Sequence, residues 1–313
     1  FFFKQKTAYE IPKRDWSSDV CSSDLEIAET GMPKMTRRLL PLLAGAAALA
    51  SIPAAVSAHR MWFLPSGTVF AGTDNWVTVD AAVSNDLFFF DHQPGRLENV
   101  KVWQPDGSPG QIQNGATGRY RSVFDVKLDK PGTWKIGSEN AAVMGSFKVD
   151  GEEKRIGRRG PPQPDAPAPL TVADIPANAT DVKLTEILSR NEIFVTAGEP
   201  TTTVFKPTGK GLELAPITHP DELVAGETAR FRFLVDGRPA AGLKVEVIPG
   251  GKRYRNAEGG MTLTTGADGV LAVTWPAAGM YWLNATMTDG KASQPRVSER
   301  RLGYTTTLEV MTP

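Results

Sequence analysis

The sequence is short of the residue types that carry most side-chain chemistry. Its 313 residues include one cysteine and three histidines. The cysteine, Cys21, lies in residues 1–25, where Lys4–Ile11 (KQKTAYEI) and Trp16–Leu25 (WSSDVCSSDL) resemble translated sequencing adapters. Residues 1–31 are therefore set aside from fold reasoning, as any non-native scar would be. Without Cys21 there is no disulfide, no thiol nucleophile and no thiolate metal ligand. An excess of one charge is also missing. Lys and Arg number 35, as do Asp and Glu, and from His59 onward the counts are 28 and 29. That balance gives no bias toward nucleic acid or an anionic membrane. Gly-x-Ser-x-Gly, a phosphate loop, a dinucleotide fingerprint and His-Glu-x-x-His are all absent, and no carboxylate pair has a defensible placement. The expectation is a protein that is not an enzyme.

Only one long uncharged run is present, Leu39–Val56, preceded by Met35-Thr36-Arg37-Arg38 and followed by Ala55-Val56-Ser57-Ala58. A basic start, an apolar stretch and small residues before a junction form the pattern of a cleavable export signal. The run is nearly long enough to be a membrane anchor, but Pro41, Pro53 and the small-residue box favour cleavage. Residues 32–58 are read as the signal, and the remainder as a periplasmic protein that does not span the membrane once cut. Cleavage after Ala58 would leave His59 with a free amine.

What is present is turn punctuation, with 30 Gly and 24 Pro, and short alternating runs. Asn75–Val83, Tyr120–Leu128, Glu227–Val235 and Leu243–Ile248 alternate apolar and polar residues. Pro105-Asp106-Gly107, Asp236-Gly237 and Ala267-Asp268-Gly269 mark turns, the last inside an expected hairpin of Met261–Thr265 with Val270–Trp275. Gly132-x-Trp134 and Gly279-x-Tyr281 open two further strands. The pattern predicts an all-β chain of two antiparallel, immunoglobulin-like β-sandwiches, at 59–150 and 212–313. Residues 151–211 are expected to link them through a proline-rich stretch, Pro161–Pro169, with a short helix over Asp181–Arg190 ended by Asn191 and a strand at Glu192–Thr196.

The three histidines are His59, His92 and His219. An amine and an imidazole on one residue suit copper(II) or nickel(II), which favour nitrogen-rich sites. His92, in Ser84-Asn-Asp-Leu-Phe88-Phe89-Phe90-Asp91-His92, is the best second ligand. Asp91 and Asp86 would be carboxylate ligands or acceptors for an imidazole N–H. The other reading of His92 is a satisfied histidine beside an aromatic cluster. Phe88–Phe90 would present themselves to a partner or cover a pocket. Met61 is either a soft copper ligand or a core residue, Trp62 an anchor to the first sandwich, and His219 a turn residue.

His59-Arg-Met-Trp62-Phe-Leu-Pro65, Ser84–His92, Asn191–Gly198, Leu212–Pro216 and Leu234–Gly242 together resemble a family of periplasmic proteins of unknown function labelled nickel-uptake or cobalt-transport components. The resemblance spans about 59–310. The label implies a nickel or cobalt role; joined to the reading of the histidines, the expectation is a metal-binding accessory to nickel or cobalt (or copper or iron) uptake that carries Ni2+, Co2+ or Cu2+ on His59, His92 and Asp91 and works with an inner- or outer-membrane metal transporter. Two other readings stay open: a non-catalytic sandwich that recognises a protein or glycan through its aromatics, and a copper enzyme built on a histidine brace.

Overall fold

In the computed structural model, residues 59–157 and 167–313 are described. Residues 1–31, set aside from fold reasoning, the expected signal 32–58 and most of the proline stretch lie outside them. Every described residue belongs to one compact unit, Ser57–Pro313. These residues form strands and short 3-10 turns, with no α-helix among them. No helix of the described residues is long and apolar enough to cross a membrane.

The strands make three sheets. A five-stranded sheet holds Arg60–Pro65, Asn75–Ser84, Ser122–Leu128 and Gln113–Thr117, with Gln93–Pro94 added to Asn75–Ser84. A four-stranded sheet holds Leu212–Pro216, Thr228–Val235, Arg238–Pro239 and Val270–Thr274. Between them runs an eleven-stranded sheet whose centre is Gly279–Asp289, Glu299–Met311, Thr180–Ala197 and Gly132–Val149.

Alternation along a strand sends successive side chains to opposite faces, and Thr180–Ala197 uses both. Ile193, Val195 and Ala197 enter a core with Phe63, Val77, Val79, Phe124, Trp134 and Ile136 under the five-stranded sheet. Phe194 enters the other core, with Leu214, Phe231, Phe233, Trp275, Tyr281 and Tyr304, under the four-stranded sheet. The two cores therefore share one sheet rather than meeting end to end. Each fully buried side chain of this size contributes about 1.5–3 kcal/mol.

Two expectations are corrected. Asp181–Arg190 is not a helix. It is strand, paired antiparallel with Gly132–Val149, and from Thr185 on parallel with Glu299–Thr306. The spacing of Leu184, Ile187 and Leu188 matches a helical face, but Leu184 and Glu186 are buried in the alternation of a strand. Asn191 is not a helix end either. It lies mid-strand, buried, and neither of its amide atoms has a hydrogen-bond partner. The segment expected to be mostly linker thus supplies a central strand. The hairpin expected over Met261–Trp275 is also absent. Met261–Thr264 pairs with Lys244–Val247 in the large sheet, and Val270–Thr274 pairs with Thr228–Arg232 in the four-stranded one. The turn at Gly269 is real, with φ +74°, but it carries the chain from one sheet to the other.

Candidate functional site

Strand register brings His59 and His92 together. Asn75–Ser84 has Arg60–Pro65 on one side, with Arg60 opposite Ser84, and Gln93–Pro94 on the other, with Gln93 opposite Val83. His59 precedes Arg60 and His92 precedes Gln93, so the histidines flank the same strand end. Two strands on either side of a third stand roughly 10 Å apart, a gap two imidazoles can close. Their rings stack, with centroids 3.7 Å apart and planes 4° from parallel. Both residues are solvent-exposed. Among the described residues neither ring makes a hydrogen bond or ion pair, and no third His, Cys, Asp or Glu side chain joins the pair.

The loop from Ser84 to His92 is tightly built. Ser84 Oγ accepts from Trp62 Nε1 at 2.7 Å and donates to the Asp86 carbonyl at 2.6 Å. Trp62 is fully buried, the anchor expected of it. Met61 is half-buried and packs against the first core. Asp91 does not join the two imidazoles; its Oδ1 accepts from the Asn85 N–H at 2.9 Å and closes the loop. Phe88 takes a left-handed backbone, φ +58°, which costs a non-glycine residue about 1–2 kcal/mol. Packing offsets that cost: Phe88 meets Trp62 edge-on at 5.4 Å, and Phe90 lies 5.6 Å from the same ring. Phe88 and Phe90 are thus half-buried, and only Phe89 is exposed, at 37%.

The far half of the chain reaches this loop and the residue after His59 through Ile248 and Trp282, which pack with Leu87, Phe88 and Phe90, and through three contacts of one short segment. Arg60, 9% exposed, pairs with Glu258 at 2.5 Å. Lys252 Nζ pairs with Asp86 at 2.5 Å. The Arg253 guanidinium lies 4.8 Å from the Phe89 ring. Of these residues, the sequence pointed to Asp86 and Phe89 but not to Arg60, Lys252, Arg253 or Glu258. The available signal was the pair of double glycines, Gly250-Gly251 and Gly259-Gly260, around a charged segment.

His219 lies elsewhere and is fully engaged. The Asp221 N–H donates to its Nδ1 at 3.1 Å, which leaves the ring proton on Nε2, 3.0 Å from Thr133 Oγ1 and 3.3 Å from the Thr201 carbonyl. Thr133 Oγ1 is 3.0 Å from Thr196 Oγ1, which donates to Asp221 Oδ2 at 2.6 Å. Burial holds the imidazole below its usual range, against opposing contributions from the Thr201 carbonyl and Glu222. Burial also pushes the Asp221 carboxyl up to about 7, helped by the negative charges of Glu309 and Glu222 and opposed by the Thr196 hydrogen bond. His219 is a structural residue, in keeping with its place outside the expected ligands.

The two exposed imidazoles fit part of a metal site. A transition ion binds histidine nitrogen at about 2.0–2.1 Å, in the plane of the ring. Stacked rings aim their lone pairs side by side, so the rings must turn for one nitrogen of each to meet a single ion. Two side-chain nitrogens leave room for further donors. A free amine on His59 would be one; in the continuous chain that nitrogen is a peptide.

A family model described as a domain of unknown function (DUF4198) matches residues 56–289, well over half of the chain. No curated protein gives a significant match. Among solved structures, the D0-D1 domain of intimin is similar at 11% identity, over 79% of this chain and 97% of that one, with a TM-score of 0.19. The human OSCAR ligand-binding domain is similar at 11% identity over 81% and 100%, TM-score 0.19. A DUF4785 family protein from Legionella pneumophila is similar at 8% identity over 71% and 50%, TM-score 0.20. Likenesses this distant leave the fold to be read from the chain's own sheets.

Proposed function

The chain belongs to the DUF4198 family, and we propose that it is an exported, non-catalytic carrier of a divalent transition-metal ion, nickel, cobalt or copper. It holds the ion on His59 and His92 and passes it to a membrane transporter. The observation that carries this reading is the stacked, exposed pair of imidazoles, whose nitrogens have no other partner among the described residues. Histidine nitrogen is a preferred ligand for these ions. Exposure suits a cargo that must be loaded and released. Asp91 supports the site by holding the loop that carries His92 rather than by ligating. The signal pattern ending at Ala58 supports the export reading, and cleavage there would supply the third donor, the amine of His59.

The alternative of a docking module built on Phe88–Phe90 has lost most of its surface. Two of the three rings pack on Trp62, which leaves Phe89 to carry any contact.

The test is a titration of Ni2+, Co2+ and Cu2+ against protein that begins at His59 and against the same protein with one residue added before it. Copper or nickel is expected to bind the first much more tightly, because the extra residue turns the amine into an amide. Equal affinity in both would remove the amine from the site. Absence of binding in both would end the carrier reading.

A further inference from the structure

We infer that Gly250–Gly260 is a strap through which the second half of the chain sets the positions of both histidines, making Lys252 and Glu258 positioning residues of the ion site; this rests on the reading of His59 and His92 as ligands. The strap touches both histidine-bearing segments and does so from one short stretch. Glu258 holds Arg60, the residue after His59. Lys252 holds Asp86, and Arg253 covers Phe89, both in the loop that ends at His92.

The strap is closed on itself before it meets either histidine. Arg255 Nη1 donates to the Gly250 carbonyl at 2.6 Å, and its Nη2 donates to the carbonyls of Pro249 and Glu258 at 2.9 Å each. One guanidinium thus ties the two ends together. Gly251 and Gly259 take the left-handed turns this needs, at φ +74° and +71°. Gly250 lets Phe88 approach, since a Cβ there would fall 2.8 Å from the Phe88 ring.

Packing holds part of the loop on this side, where Leu87, Phe88 and Phe90 share a core cluster with Ile248 and Trp282. A cavity of about 300 Å³ opens between Leu64, Phe88, Gly250, Arg255 and Met280. Beside that cavity, the strap adds polar contacts to Asp86 and Phe89 that packing does not supply. The Lys252–Asp86 pair is exposed and contributes little to overall stability, so its place on the histidine-bearing loop is better explained by positioning. Tyr254, at the tip, is 86% exposed and serves as a control on the same strap.

The experiment compares wild-type protein, the double variant Lys252→Met/Glu258→Gln and Tyr254→Ala, all starting at His59. In the ion-free proteins, nuclear Overhauser contacts between the ring protons of His59 and His92 report how close the rings lie. Copper(II) titration then reports affinity. The double variant is expected to lose the ring contacts and bind copper about tenfold or more weakly, the usual cost of removing outer-shell partners. Tyr254→Ala is expected to change neither. Exchanging the charges with Asp86→Lys/Lys252→Asp, in otherwise wild-type protein, is expected to keep the contacts; it also serves as the folded variant if the neutral one is unstable. Ring contacts that survive in the double variant, or a loss as large in Tyr254→Ala, would overturn the strap. If wild-type protein binds no ion, the carrier reading fails, and the ring contacts still decide the strap.

Discussion

His219 and the His59–His92 pair place the same side chain in opposite surroundings. His219 is half-buried, with both ring nitrogens in hydrogen-bonding distance of backbone or threonine partners in a chain that ends on Asp221. His59 and His92 lie on the surface and touch chiefly each other. A histidine whose nitrogens are engaged has nothing left for a ligand, and its surroundings are sensitive to charge instead. A histidine with open nitrogens adds little to the fold and can bind. Counting histidines in the sequence cannot separate these roles; counting their partners does.

The largest expected effect falls on the buried side. Folding raises the Asp221 carboxyl from 3.8 to about 7, so the folded state favours its protonated form. Its contribution is fully present below pH 3.8 and is lost as pH rises through about 7. At about 1.4 kcal/mol for each pH unit between those midpoints, the loss is roughly 4 kcal/mol at most. His219 acts in the opposite sense: its imidazole is lowered from 6.5, so its contribution is present above 6.5 and is lost as pH falls through the folded value. Asp221→Asn removes the first effect and leaves the second. The variant is expected to be more stable than wild type at pH 8, by a few kcal/mol, with the gain gone by pH 4. Denaturant unfolding across that range measures it. A gain that does not vary with pH would mean that Asp221 is not held protonated by burial.

Next comes the contrast itself. His92→Ala is expected to weaken copper or nickel binding by on the order of 100-fold, since loss of outer-shell groups alone costs 10–100-fold, and to leave the melting temperature nearly unchanged. His219→Ala is expected to do the reverse. It strands the Asp221 N–H and takes the imidazole from the Thr133 end of the threonine chain, at a cost of about 1–3 kcal/mol of stability, with metal affinity retained. Paired calorimetric titrations and thermal melts of the two variants settle whether the roles divide this way. If both variants lose affinity equally, the distinction between open and engaged nitrogens collapses.

How much of this could be read from the chain depended on the distance between partners. Asn75–Ser84 and Thr228–Val235 are legible because their alternation is local. Thr180–Arg190 is not, because its faces are half-covered on both sides and charged residues such as Glu186 and Arg190 sit where apolar ones would reveal the period. Glu186 is buried because Ser293 donates to it from N–H and hydroxyl, a contact no window of sequence contains. The candidate ligands His59 and His92 could be named from residue type and processing. Their contact could not, since it needs Arg60 opposite Ser84 and Gln93 opposite Val83 at once. The double glycines mark the strap, but its contacts were out of reach, with Lys252 and Glu258 lying 166 and 198 residues from their partners.

The smallest expected effect lies at the rim of the open pair. Phe89 is 37% exposed and meets the Arg253 guanidinium at 4.8 Å, an arrangement worth about 0.5–1 kcal/mol at an exposed site. Its neighbours Phe88 and Phe90 pack on Trp62, so Phe89→Ala removes a surface contact and opens no core cavity. Unfolding of Phe89→Ala should therefore cost no more than about 1 kcal/mol, whereas truncating the half-buried Phe88 should cost several times that. The comparison is informative in either direction. A loss of 3 kcal/mol or more at Phe89 would place that ring in a packed core, and the loop carrying His92 would then belong to the engaged half of the molecule rather than to its open surface.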